Sequence, residues 1–231
     1  MKRIAYWLLW LAALLLLAGI SLTLTGCGSS STQIRFVHSG ANAGNVDVLV
    51  DTKTVSTNLA YANSTSYMKI SSGSRQIEVR PTGTTTDLIN SDVTLAGGTF
   101  STGVIDNASG SGYVLNVYTD DHTAPPSGKA ALRFIHAAQN AQNIDIYVTT
   151  PGQGITGLSP TIGNVAYPSA TAPQNLSPGS YEIVITQQGT QNIIIDTGEA
   201  SPLTLTAGQI RTFVAIENLG NVPYLILSDV N

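Results

Sequence analysis

The amino-acid sequence predicts an all-β protein: two tandem β-sandwiches, immunoglobulin-like or transthyretin-like, behind an N-terminal targeting segment. Three observations carry that expectation. Runs such as "NVDVLVD" at 45–51 alternate apolar and polar side chains with the period of two that a half-buried strand requires. Gly, Pro and Ser turn signals separate such runs about every 8–12 residues, and no amphipathic helical stretch comes after the leader. Finally, "RFVHSGANAGNVDVLV" at 35–50 returns as "RFIHAAQNAQNIDIYV" at 133–148.

Residues 1–26, "MKRIAYWLLWLAALLLLAGISLTLTG", have a short basic end and a long apolar run, the layout of a secretory signal peptide. The tetrad Leu24-Thr25-Gly26-Cys27 resembles the bacterial lipobox, which implies that Cys27 is acylated and becomes the new N-terminus. Cys27 is the single cysteine, so no intramolecular disulfide can form. The alternative is an uncleaved membrane anchor, since about twenty apolar residues span a bilayer. Both routes place the residues after Cys27 outside the cytoplasm. Gly28, where inner-membrane retention uses Asp in enterobacteria, favours the outer membrane in a cell that has one. Residues 27–33 read as a flexible tether.

Residues 34–120 form the first expected sandwich, 121–130 a Pro-rich linker around Pro125-Pro126, and 131–231 the second sandwich. The match between the copies continues beyond the opening sixteen residues. "NLAY" at 58–61 meets "NVAY" at 164–167, "GSRQIEV" meets "GSYEIVI", and "TLAGG" meets "TLTAG". A repeating unit of about 100 residues is the size of an independent domain, longer than a solenoid or propeller repeat. The cysteine pair and core tryptophan of antibody domains are missing. Both tryptophans, Trp7 and Trp10, lie in the leader.

The motif at Arg35, Phe36, His38 and Asp47, with its second copy at Arg133, Phe134, His136 and Asp145, resembles the bacterial domain-of-unknown-function 4397 family. Members carry a pattern like R-F-x-H-A-x-P-x-A-P-x-V-D-V-Y-V-D-G. This chain lacks the family's loop prolines and replaces its final Asp-Gly with Asp51-Thr52 and Thr149-Thr150. The resemblance implies an exported or surface protein and brings no established activity.

Charged residues make up 10% of the chain, against roughly 25% in average soluble domains. The net charge is −4 with no basic run, which argues against a nucleic-acid partner. His38 and His136 each precede an aspartate, but a zinc site usually needs three or four protein ligands. The third histidine, His122, falls in the linker. Alternation places His38 inward with Ile34 and Phe36, as a structural residue bonded to loop backbone. It places Arg35 and Asp47 on the opposite face, where they would form an exposed pair across the sheet, as would Arg133 and Asp145. Such a pair contributes only about 0–1 kcal/mol.

Asn42, Asn45, Asn140 and Asn143 lie in end loops, where a ligand can be held. Tyr61, Tyr67, Tyr167 and Tyr181 are the aromatic residues a glycan would stack on if they shared an exposed patch. Asp106, Asp120 and Asp121 are oxygen donors suited to calcium, yet without the D-x-D-x-D-G loop they read as solvated turns. Nucleophile elbow, Walker loop, dinucleotide fingerprint and HExxH motif are all missing. The expectation is therefore a non-catalytic envelope protein without cofactor or metal, held to the membrane through Cys27 and acting in interaction or scaffolding. Its partners would be envelope proteins or glycans. A carbohydrate- or protein-binding module is the alternative, and a hydrolase the remote third.

Overall fold

The computed structural model describes residues 30–217 and 224–230. The leader and Cys27 lie outside the described residues. The all-β expectation holds: the described residues contain strands and one short 3-10 turn, and no helix among them is long and apolar enough to cross a membrane.

The first half carries β1 (Ser31–His38), β2 (Val46–Val50), β3 (Lys53–Leu59), β4 (Asn63–Ser64), β5 (Met68–Ser71), β6 (Gly73–Pro81), β7 (Ile89–Leu95), β8 (Phe100–Asn107) and β9 (Tyr113–Asp120). They form two sheets. One has the order β4-β1-β8-β9, with β5 also on β1, and the other runs β3-β2-β6-β7. β1 and β8 run parallel, and the remaining pairs are antiparallel.

The second half carries β10 (Ala130–Ala137), β11 (Ile144–Thr149), β12 (Ile162–Val165), β13 (Ser169–Ala170), β14 (Gln174–Leu176), β15 (Gly179–Gln187), β16 (Ile193–Asp196), β17 (Leu203–Leu205), β18 (Ile210–Ile216) and β19 (Tyr224–Val230). Its sheets run β13-β10-β18-β19, with β14 on β10, and β12-β11-β15-β16, with β17 on β15. This is the connectivity of the first half, with the long β7 replaced by β16 and β17. Here too the opening strand lies parallel to the penultimate one. Among the described residues, every strand pairs within its own half.

The apolar residues fall into layers. Phe36, Val48, Ile77 and Ile105 lie in the core between the two sheets of the first half. Phe134, Ile146, Ile183 and Phe213 do the same in the second. A third cluster belongs to both halves. Val37 and Val104 pack with Ile135, Ala137, Val214, Ile216 and Leu227, and Tyr61, Tyr118, Ala170 and Leu225 flank them. The β1 sheet thus has its own core on one face and the β10 sheet on the other. This explains why all eight residues of β10 are buried, although a half-buried strand was expected.

Two boundaries differ from expectation. Ser31–Gln33, expected in the tether, belong to β1: all three pair with β5, and Gln33 pairs with β8 as well. Thr32 is buried, and its hydroxyl donates to Thr99 O at 2.9 Å. Ala130, assigned to the linker, opens β10 and is fully buried.

Candidate functional site

The densest polar cluster lies between the halves, and the repeated arginines build it. Alternation along β1 sends Ile34, Phe36 and His38 into the first core, so Arg35 and Val37 face the second half. Arg35 Nε donates to Thr102 Oγ1 of its own half at 2.8 Å. Its Nη1 donates to Ser228 O at 3.1 Å, and its Nη2 to the Asp229 carboxylate, both on the last strand of the other half. Arg133 mirrors it. Its Nε donates to Thr212 Oγ1 at 3.2 Å, Nη1 to Thr119 O at 2.9 Å, and Nη2 to the Asp120 carboxylate.

Each threonine closes the circuit in its own half. Thr102 Oγ1 donates to Asp120 Oδ2 at 2.7 Å and Thr212 Oγ1 to Asp229 Oδ2 at 2.5 Å. The four charged side chains are 5% exposed or less, so each depends on its partner to offset the loss of water. Tyr67 adds a donor, its hydroxyl reaching Asp120 Oδ2 at 2.6 Å, while the Arg35 guanidinium lies 4.6 Å over its ring. Burial first, and then the bonded Asp120, push the Tyr67 hydroxyl well above its usual range. His122 stacks on Phe100 with ring centroids 3.8 Å apart.

The expected pairing of Arg35 with Asp47, and of Arg133 with Asp145, is therefore corrected. Arg35 and Asp47 stand in different sheets of their sandwich, as do Arg133 and Asp145, and both arginines are buried. Asp120 is no solvated turn either: it ends β9 as the acceptor for Arg133.

Asp47 and Asp145 instead clip loops. Asp47 Oδ1 accepts from Asn58 N and from the Thr82 hydroxyl, at 2.8 and 2.9 Å. Those bonds, the Asn58 amide first, hold its pKa below the ordinary carboxylate value. Asp145 accepts from Asn164 N at 2.7 Å and Gly189 N at 2.8 Å. Asn45 and Asn143 brace the same turns, donating to Asn58 Oδ1 at 2.8 Å and Asn164 Oδ1 at 2.7 Å. Asn58 and Asn164 occupy the left-handed region at φ 55° and 56°, a conformation asparagine tolerates. Asn42 is exposed with φ 66°, and the Asn140 amide donates to Glu217 Oε1 at 3.1 Å.

His38 and His136 are buried, and Nε2 of each bonds a loop carbonyl: Gly44 O at 2.8 Å and Gln142 O at 2.6 Å. Burial lowers both imidazole pKa values. Among the described residues, no three His, Cys, Asp or Glu side chains gather as metal ligands.

The four tyrosines do not form one exposed patch, so the condition for glycan stacking on them is not met. Tyr61 donates to Glu217 O and Tyr167 to Asn107 O at 2.5 Å, a second reciprocal pair across the junction. Tyr67 belongs to the arginine cluster. Tyr181 bonds Ser177 O at 2.7 Å beside its own strand.

Sequence reasoning missed Thr102, Thr212, Asp229, Asn58 and Asn164 as functional partners. Their signal was present. "NLAY" and "NVAY" contain the asparagines, and "YTD" at 118–120 meets "LSD" at 227–229 at the ends of matching strands.

These features define an all-β protein of two-sheet sandwiches whose repeated arginines hold the halves together. The family profile described as domain of unknown function (DUF4397) matches residues 32–147, from β1 to within β11, and the chain belongs to that family. No curated protein matches it. Among solved structures, CBMbc (family CBM26) from Eubacterium rectale Amy13K, in complex with maltoheptaose, is 10% identical with a TM-score of 0.28. That alignment covers 87% of this chain and 98% of the other. A leucine-rich repeat protein from Bacteroides thetaiotaomicron is 12% identical with a TM-score of 0.21, covering 79% of this chain and 25% of the other. Both scores are too low to carry an argument about ligand or mechanism.

Proposed function

We propose that this protein is an exported, lipid-anchored, non-catalytic interaction protein, made by duplication of one sandwich module and tethered at Cys27. One observation supports the reading most. The arginines, histidines and aspartates that recur in both halves are engaged in the fold: the arginines in the crossed clamp, the histidines on loop carbonyls, the aspartates on loop amides. Residues held in this way serve the fold, which fits a protein that works by interaction. Mass spectrometry of membrane fractions tests the anchor. A diacylglyceryl adduct on Cys27 is expected, whereas an intact leader would contradict it.

A second reading, glycan binding, draws on a groove of about 250 Å³ beside the clamp, lined by Ser64, Thr65, Ser66, Tyr67, Ile226 and Ser228. Strand register aligns Ser64 with Ala170, which puts Ala172 and Pro173 where the first half has Ser66 and Tyr67. The first half thus offers hydroxyls where the second offers apolar groups. Glycan-array binding of the full-length protein, lost in the Ser64→Ala/Ser66→Ala double variant, would support this reading. An array without saturable binding would remove it.

A further inference from the structure

Thr102, Val104 and Asp106 alternate along β8 on the face turned to the second half. Their counterparts by strand register on β18 are Thr212, Val214 and Ile216. The threonines match, both belonging to the clamp, and the valines match, both belonging to the shared apolar layer. The third position does not: Asp106 stands where the other half has isoleucine. Both side chains are 1% exposed. A carboxyl has been set into a place the fold fills elsewhere with hydrocarbon.

Its surroundings offer a carboxylate little. Asn107 N donates to Oδ1 at 2.8 Å, and Oδ2 is buried with no hydrogen-bond partner among the described residues. The hydroxyls of Ser39 and Tyr167 lie near the carboxyl, but each donates to a backbone carbonyl, Ile105 O and Asn107 O, and so aids a carboxylate only weakly. The charged and titratable groups that face it are Glu217 at the end of β18, Tyr118 on β9, Tyr61 after β3 and Tyr167 after β12. None of these described groups is a cation. Burying an unpaired charge costs far more than burying the neutral acid. Burial raises the pKa to about 7, outweighing the Asn107 amide and the Tyr167 and Ser39 hydroxyls, which lower it, while the Glu217 charge adds a smaller upward push.

We propose that Asp106 is a proton-operated latch between the halves: they close on its protonated carboxyl, and its ionisation loosens the junction at the Tyr61 and Tyr167 end. The clamp at Arg35 and Arg133 lies at the other end of the junction and keeps that end engaged. Linkage gives the sign. An acid whose folded pKa lies above its unfolded value stabilises the fold below the unfolded value, and that contribution is lost as pH rises through the folded value. The folded-to-unfolded ratio should then fall by up to about tenfold per pH unit between roughly pH 5 and 7. His38 and His136, with lowered pKa values, tilt the profile the opposite way, so the effect is read against a variant that keeps them.

The test is urea unfolding of the full-length protein in detergent from pH 5 to 8, beside Asp106→Asn and the control Glu217→Gln. The wild type and Glu217→Gln should lose stability relative to Asp106→Asn as pH rises. Hydrogen exchange at residues 106–108 and 139–141, corrected for intrinsic rates, should quicken with pH in the wild type and in Glu217→Gln but not in Asp106→Asn. Parallel pH profiles for wild type and Asp106→Asn would overturn the proposal. Should Asp106→Asn fail to fold, carbon-13 titration of the wild-type carboxyl decides. A midpoint near 7 supports the latch, and one in the ordinary carboxylate range overturns it.

Discussion

The two halves share one connectivity, and a comparison of them separates what the junction requires from what each core tolerates. What recurs is polar and crosses a boundary: arginine to the other half's aspartate, tyrosine to the other half's carbonyl, asparagine and aspartate to a loop. What differs is interior filling. In the second half Phe134 packs on Phe213 with ring centroids 5.6 Å apart. In the first, Gly103 holds the position of Phe213, and a Cβ there would stand 3.1 Å from the Phe36 ring. The outer sheet differs too: Ile155 covers Tyr147 and Val184 in the second half. Apolar volume can be rearranged within a half without consulting its neighbour, whereas a buried charge cannot lose its partner.

The largest expected effect lies in the clamp. Asp120→Ala strands Arg133 in the interior and should destabilise the protein by about 3–5 kcal/mol in urea unfolding. Asp229→Ala should cost less, because Asp120 also holds the Tyr67 hydroxyl whereas Pro173 occupies Tyr67's place in the second half. Equal costs would show that the tyrosine adds nothing. Next comes the core. Phe213→Ala should cost about 3–5 kcal/mol through the cavity it leaves. Gly103→Ala should cost about 1–3 kcal/mol by overpacking against Phe36 and Leu115. A neutral Gly103→Ala would mean that the first core has slack.

Smaller effects probe the loop clips. Asn58→Ala and Asn164→Ala each force alanine into a left-handed conformation and remove one side-chain bond, an expected loss of about 1–2 kcal/mol apiece. Similar losses in the two variants would show the clips to be equivalent. The smallest concerns the imidazoles. NMR titration should find His38 and His136 both ionising below the ordinary histidine value. Their stabilisation is present above that ordinary value and is lost as pH falls through it toward the folded values.

The fold class was legible because strand alternation and turn residues are local, and so was the inward position of His38, which is set by its alternation with Ile34 and Phe36. The destination of Arg35 was not. Alternation correctly placed it opposite His38, but the inference that such a face meets solvent assumed that each sandwich stands alone. Only the packing of one sheet on the other half turns that face into an interior. Asp106 was hidden for the same reason. In the sequence it ends a strand near Asn107 and Gly110, like any turn carboxylate, and only the register of β8 against β18 reveals what it displaces.

The crossed arginine–aspartate pairs and the shared apolar layer should bind the halves into one cooperative body. Hydrogen exchange of the full-length protein across a urea series, followed separately in strands β1–β9 and β10–β19, reads that cooperativity strand by strand. Both halves should lose core protection at the same urea concentration, and Asp120→Ala should shift both together. One half unfolding while the other keeps its protection would mean that the clamp and the shared layer do not couple them.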